Sequence, residues 1–356
     1  MAVGRSIKVQ PDRFFRRAVK QLTVVLAVAA FAGLPQKAIS NPVDTYYDQV
    51  YKLINSGDLS AALSSVDRRL SADRLKESEI TEGLRLRGSI LLRLEKYDRA
   101  LANLSSALEF SRGDVWILWQ RCWIHAVKAR FSSARRDCDL ALARALDNFG
   151  KTRSGRDGAQ GARADLKGAV AANAELMKRT GYIMRGIDTI LSRKEDIGVE
   201  SDYSLSALLA ELYLLAGEPA EAKRWIERAL LLTRDAPDAL QAHIVALSAE
   251  IEFSTGDFQS AGRKFERASS MSRDRGRHAY NACAAYLIVG AERDALRACQ
   301  VSFDENGWNP ASIDAYGSAL LNSGNEKQAK EVFSEGLSRH PNNQYLLNRF
   351  KELGDQ

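Results

Sequence analysis

Small and apolar residues recur along most of this 356-residue chain with one spacing. In LEKYDRALANLSSALEF (94–110), Tyr97 is followed by Ala100, Leu104 and Ala107, steps of three and four that share one face of a helix. ARFSSARRDCDLALA (129–143) repeats the pattern with Phe131, Ala134, Cys138 and Ala141, 34 residues later. AGEPAEAKRWIERALLL (216–232) gives Ala222, Ile226 and Ala229, and TGDFQSAGRKFERAS (255–269) gives Phe258, Ala261, Phe265 and Ala268. VGAERDALRACQ (289–300) and SGNEKQAKEVFSEGL (323–337) follow at intervals of 34, marked by Ala261, Ala295 and Ala329. SGDLSAALSSVDRRL (56–70) is the first copy. Each copy begins at a turn, often with Gly, and predicts a helix that meets the preceding helix through small side chains.

A fixed period of 34 residues with these small positions resembles the tetratricopeptide repeat family. The final copy carries the resemblance best, with Gly317, Leu320, Gly324, Ala329, Phe333, Leu337 and the closing Pro341. The resemblance implies an all-α fold, a superhelical solenoid of antiparallel helix pairs, with about eight repeats over roughly 43–343. Residues 41–148 form an N-terminal segment of three repeats, and 167–343 a C-terminal segment of one weak and four clearer ones. The weak copy, 167–200, has Gly181, Gly186 and Ile190 at its turn, small and apolar sites. Between the segments, 149–166 is rich in Gly, Arg and Lys and predicts a flexible insert or linker. QYLLNRFKEL, within 344–356, predicts a last amphipathic helix capping the open apolar end.

The first forty residues change the picture of charge. Residues 1–40 hold seven basic side chains (Arg5, Lys8, Arg13, Arg16, Arg17, Lys20, Lys37) against Asp12 alone. The net charge of +6 therefore leaves 41–356 formally neutral, with 44 basic and 44 acidic residues, and excludes a global footprint for nucleic acid. Within 1–40, a basic start precedes the apolar run Leu22–Leu34 and the small residues Ala38 and Ser40, the layout of a secretory signal peptide. The run of 13 is shorter than a membrane span needs, so cleavage after Ser40 is preferred over an uncleaved signal anchor. Arg16-Arg17 faintly resembles a twin-arginine signal, and an acid-poor organellar presequence is a further alternative. The protein is expected to be exported, periplasmic or secreted; the alternatives are a membrane-anchored or endoplasmic-reticulum-lumenal location. Membrane contact is expected only through the uncleaved N-terminal segment.

The only cysteines, Cys122, Cys138, Cys283 and Cys299, form two pairs each separated by 16. In an antiparallel hairpin turning near Ala129 or Gly290 the members of each pair fall at the same height, which selects Cys122–Cys138 and Cys283–Cys299 among three connectivities. An oxidising compartment favours the disulfides. Buried free thiols standing in for Ala are the alternative. No His lies near either pair at ligand spacing, and no metal is expected.

Helix one of the third repeat, VWILWQRCWIHAVKA, puts Leu118, Cys122 and His125 on the core face. Trp116, Trp119 and Trp123 lie on another face, which in the resembled family looks into a concave ligand groove. Tyr47 and Tyr51 take the equivalent face of the first repeat, and Arg85 and Ser89 that of the second. Aromatics and Arg dominate binding hot spots, so these seven residues predict a groove for a peptide or partner protein, with Arg85 taking a carboxylate or carbonyl. The competing expectation is that the indoles pack against each other, the insert or a neighbouring helix. The family's carboxylate clamp is absent: the corresponding sites hold Ala207, Glu211, Ala246 and Glu250. His125, His243, His278 and His340 are scattered, and no phosphate loop or nucleophile elbow appears, so neither an enzyme nor a cofactor is expected. The function predicted is an exported protein-interaction scaffold of an envelope assembly or secretion complex. The alternatives are a polysaccharide-binding scaffold of envelope biosynthesis, with the indoles stacking on sugar rings, and a lumenal chaperone-like repeat protein.

Overall fold

The computed structural model describes residues 45–152 and 159–354, which are helical with short turns and contain no strand. The basic and apolar segment 1–40, with its cleavage and anchor readings, lies outside the described residues. The chain divides after Gly217 into two compact units.

The first unit begins with four helix pairs. They are α1 (Thr45–Asn55) with α2 (Leu59–Leu70), α3 (Glu77–Arg93) with α4 (Tyr97–Phe110), α5 (Val115–Val127) with α6 (Phe131–Thr152), and α7 (Ala159–Arg179) with α8 (Ile183–Leu191). A short helix α9 (Lys194–Ile197) and a 3₁₀ turn (Val199–Ser201) lead into α10 (Tyr203–Leu215). The second unit holds α11 (Pro219–Leu232), then the pairs α12 (Asp238–Ser254) with α13 (Phe258–Met271), α14 (Arg275–Val289) with α15 (Glu292–Asn306), and α16 (Pro310–Asn322) with α17 (Glu326–Arg339). It closes with α18 (Gln344–Gly354).

The repeat positions form the core of these pairs. Ala100, Leu104, Ala107, Ala134, Cys138, Ala141, Ala222, Ala229, Ala261, Ala268, Ala329 and Phe333 are fully buried. Small size is needed at the crossings: a Cβ on Gly317 would lie 2.4 Å from the Phe333 ring. Carboxylates or amides cap several starts, among them Asp114 on the Ile117 amide and Asp202 on those of Ser204 and Leu205. Most turns inside the pairs use a glycine in the left-handed region, but the second and third pairs place Glu95 (φ 57°) and Ala129 (φ 55°) there. The closing helix buries Leu346, and its Arg349 donates to Asp314 (3.2 Å) and Ser318 (2.6 Å) on α16.

Segment boundaries differ from expectation in two ways. The stretch 149–166 is largely helix: 149–152 complete α6, 159–166 open α7, and 153–158 lie outside the described residues. Of its glycines, the two among the described residues, Gly150 and Gly161, sit within helices. Consequently α6 and α7 belong to one unit, and the division falls at Gly217, inside the fifth expected pair. Among the described residues no helix is long and apolar enough to cross a membrane.

Candidate functional site

The inner face of the first unit gathers every residue predicted to hold a partner, and fills itself with them. Tyr51 on α1 donates to Glu82 (2.6 Å). Arg85, one turn further along α3, donates to the same carboxylate (2.9 Å) and to the Tyr51 hydroxyl (3.0 Å). Its guanidinium lies 4.5 Å from the Trp116 ring centre, a cation–π contact. Burial alone would lower the Arg85 pKa, but Glu82, Tyr51 and Asp114 outweigh it and hold the charge firmly. Tyr47 is fully buried and donates to the Glu79 carbonyl (2.7 Å), while Ser89 donates to Gln120 (2.7 Å).

Helix α5 is buried nearly all round, from Val115 to Ala126 with only Arg121 partly exposed. Trp116, Trp119 and Trp123 are 4%, 8% and 3% exposed. Trp116 and Trp119 meet edge to face at 6.0 Å, and Trp123 packs on Tyr97 at 5.8 Å. Helix α7 lies against Trp119 so closely that a Cβ on Gly168 would stand 2.6 Å from the indole. The expectation of indoles open to a ligand is therefore corrected. They share a face as predicted, but that face meets α7 and neighbouring side chains, which burial of about 150–250 Å² per aromatic strongly favours. Arg85 likewise already holds a carboxylate, Glu82.

Sequence reasoning missed several groups on this face. Lys178 on α7 is 2% exposed and paired with Glu175 (2.6 Å) and Glu211 on α10 (3.0 Å), while Arg179 holds Glu175 (2.7 Å). Burial opposes the Lys178 charge, but the two carboxylates overcome it and raise its pKa. Arg93 donates to the Ile54 carbonyl (3.0 Å) and faces Tyr203, whose phenol is raised to about 12 by burial and by Asp202, against Arg93. Asp165 on α7 is raised to about 6 by burial and by Asp114, with Arg85 pulling the other way. One signal in the sequence could have announced the filling: α5 is apolar on every side, the mark of a helix surrounded by others.

The two cysteine pairs are disulfides. Cys122–Cys138 joins α5 to α6 with Cα atoms 5.2 Å apart, and Cys283–Cys299 joins α14 to α15 at 4.8 Å. Small neighbours allow this approach, well inside the usual helix spacing of roughly 8–10 Å. The first disulfide lies beneath α7, the Ala172 carbonyl being 3.9 Å from Cys122 Sγ.

No family model and no curated protein matches the sequence. Among solved structures, the chain is similar to a thermophilic TPR protein of Thermus thermophilus, at 20% identity and TM-score 0.44 over 57% of this chain and 98% of that one. It is also similar to Pseudomonas aeruginosa pilF, at 14% identity and TM-score 0.47 over 67% and 97%. BtubC of P. vanneervenii resembles it at 18% identity and TM-score 0.46 over 69% and 94%. The repeat class itself stands on the helix pairs of this chain and their 34-residue period.

Proposed function

We propose that this chain, whose fold is a tetratricopeptide-type array of helix pairs, is an exported protein-interaction scaffold that holds partners in an envelope assembly or secretion complex. The observation that carries the reading is a stacked helix array that keeps large apolar side chains outside: Met184 is 58% exposed, Leu231 55%, Tyr182 48% and Phe110 45%. With the inner face filled, recognition falls to these exposed side chains. Export is supported by the basic–apolar–small layout of 1–40 and by two hairpin disulfides, which persist in oxidising compartments. The polysaccharide reading needed Trp116, Trp119 and Trp123 as stacking platforms, and side chains so buried offer none.

Crosslinking in intact cells followed by mass spectrometry tests the scaffold. A small, reproducible set of partner proteins is expected, with a mature N-terminus at Asn41 and no free thiols. A full-length cytosolic protein with four free thiols would refute export, and the absence of any recurrent crosslinked partner would refute the scaffold.

A further inference from the structure

The second unit carries a feature that the filled inner face does not explain. Where α11 ends and α12 begins, a cavity of about 360 Å³ opens beside the exposed Leu231. Leu230 and Val245 give it an apolar wall continuous with the core of the unit, and Val245 is 2% exposed. Its volume falls in the lower range of ligand sites, roughly 300–1,000 Å³. The rim is held in place: Gln241 donates to the carbonyls of Arg234 (3.1 Å) and Ala236 (2.8 Å), and the Thr233 hydroxyl donates to Ala229 (2.9 Å). Such a wall loses little entropy when occupied.

Charge decides the occupant. Arg234 and Arg267 both reach the rim from exposed positions, and among the described residues neither guanidinium has a carboxylate partner. This contrasts with Arg297 and Arg349, each paired nearby in the same unit. One carboxylate, Glu227, also stands on the rim, a turn before Leu231, so the lining carries two guanidiniums against one carboxylate and its net charge is positive. We propose that this cavity is the docking point for an acidic segment of a partner protein. An aliphatic or aromatic side chain enters between Leu230, Leu231 and Val245, and a flanking Asp or Glu meets Arg234 and Arg267. The proposal rests on the scaffold reading and gives it a surface and a ligand chemistry.

Fluorescence anisotropy of the full chain tests it with short labelled peptides carrying Leu or Phe beside two Glu, two Gln or two Lys. The Glu peptides should bind saturably, about tenfold or more tighter than the Lys peptides. Leu231→Asp should weaken them about tenfold, and Arg234→Glu with Arg267→Glu should invert the preference toward Lys. All three positions are exposed, so the variants keep their fold, which circular dichroism verifies. Equal binding of the three peptide classes, binding indifferent to the variants, or no saturable binding would overturn the proposal. A photo-crosslinker placed in cells at Leu231, and separately at Met184 and at Leu140, an apolar side chain of α6 that is 41% exposed, keeps the two ideas apart. Partners trapped at Met184 or Leu140 but not at Leu231 leave the scaffold standing and sink this surface, whereas no partner at any position sinks both. Partners trapped at Leu231 and lost on reversing the two arginines support it.

Discussion

Replacing Trp119 by Ala separates a filled inner face from an open groove. The indole is 8% exposed, edge-on to Trp116 and pressed against the α7 backbone at Gly168. Truncating a Trp so enclosed costs about 3–5 kcal/mol, the transfer of the ring plus the cavity it leaves. For a unit of this size that shifts the melting temperature by roughly 10 °C. The partner substitution sharpens the test. Gly168→Ala would place a methyl 2.6 Å from the ring, an overpacking of about 1–3 kcal/mol that exceeds the helical preference for Ala of roughly 1 kcal/mol. With Trp119 already truncated the clash is gone, so the same Gly168→Ala change should stabilise. Urea unfolding of the four proteins, followed by far-ultraviolet circular dichroism, should give a coupling of about 2 kcal/mol or more. Hydrogen exchange should place the loss in α5 and α7. A Trp119→Ala variant within about 1 kcal/mol of the natural chain, with Gly168→Ala additive to it, would show the ring standing free and refute the packing.

Three further outcomes follow from the same structure. Asp165 is held protonated up to about 6, above its ordinary 3.8, so the folded chain binds a proton that the unfolded chain releases between those values. Its charge therefore removes stability as pH rises through that window, and Asp165→Asn should match the natural chain at pH 4 and exceed it at pH 7.5 by on the order of 2 kcal/mol; equal stability at both would refute the shift. Each hairpin disulfide closes a loop of sequence separation 16, so Cys122→Ala with Cys138→Ala, or the equivalent pair at Cys283 and Cys299, should cost about 3 kcal/mol in urea unfolding of oxidised protein and markedly less against reduced protein; an equal cost in both states would refute the cross-links. Ala129 pays for a left-handed turn (φ 55°) that glycine adopts freely, so Ala129→Gly should stabilise by up to about 1 kcal/mol, and a destabilised variant would contradict the turn.

The sequence made the helix pairs legible because their contacts are local and periodic. Ala100, Ala134, Ala261 and Ala329 had to be small wherever two helices cross, and that requirement prints a 34-residue rhythm. The disulfides were legible for the same reason, since a 16-residue separation within a hairpin fixes the height of both sulfurs. The site was not. A helical wheel shows that Trp116, Trp119 and Trp123 share a face, but not what stands opposite that face. What stands opposite Trp119 is α7, which opens inside the stretch expected to be flexible and whose Gly168 is the close-approach point. Glu211 was visible only as a residue that breaks the clamp pattern; its partner, Lys178, is 33 residues away and shows no local periodicity linking the two.

The same charges that close the inner face decide where a partner can bind. To insert there, a peptide would have to part Arg85 from Glu82, Tyr51 and Trp116, or Lys178 from Glu175 and Glu211. Breaking one buried ion pair while leaving its members in place costs about 3–5 kcal/mol, so two such breaks would cancel the whole binding energy of a micromolar complex, about 8 kcal/mol. At Leu231 no contact has to be broken. An incoming side chain removes exposed apolar surface worth about 25 cal/mol per Å² and meets two guanidiniums that lack a carboxylate among the described residues. At the outer cavity association would add contacts without first removing any, so the helix array would gain a partner while its interior stays shut.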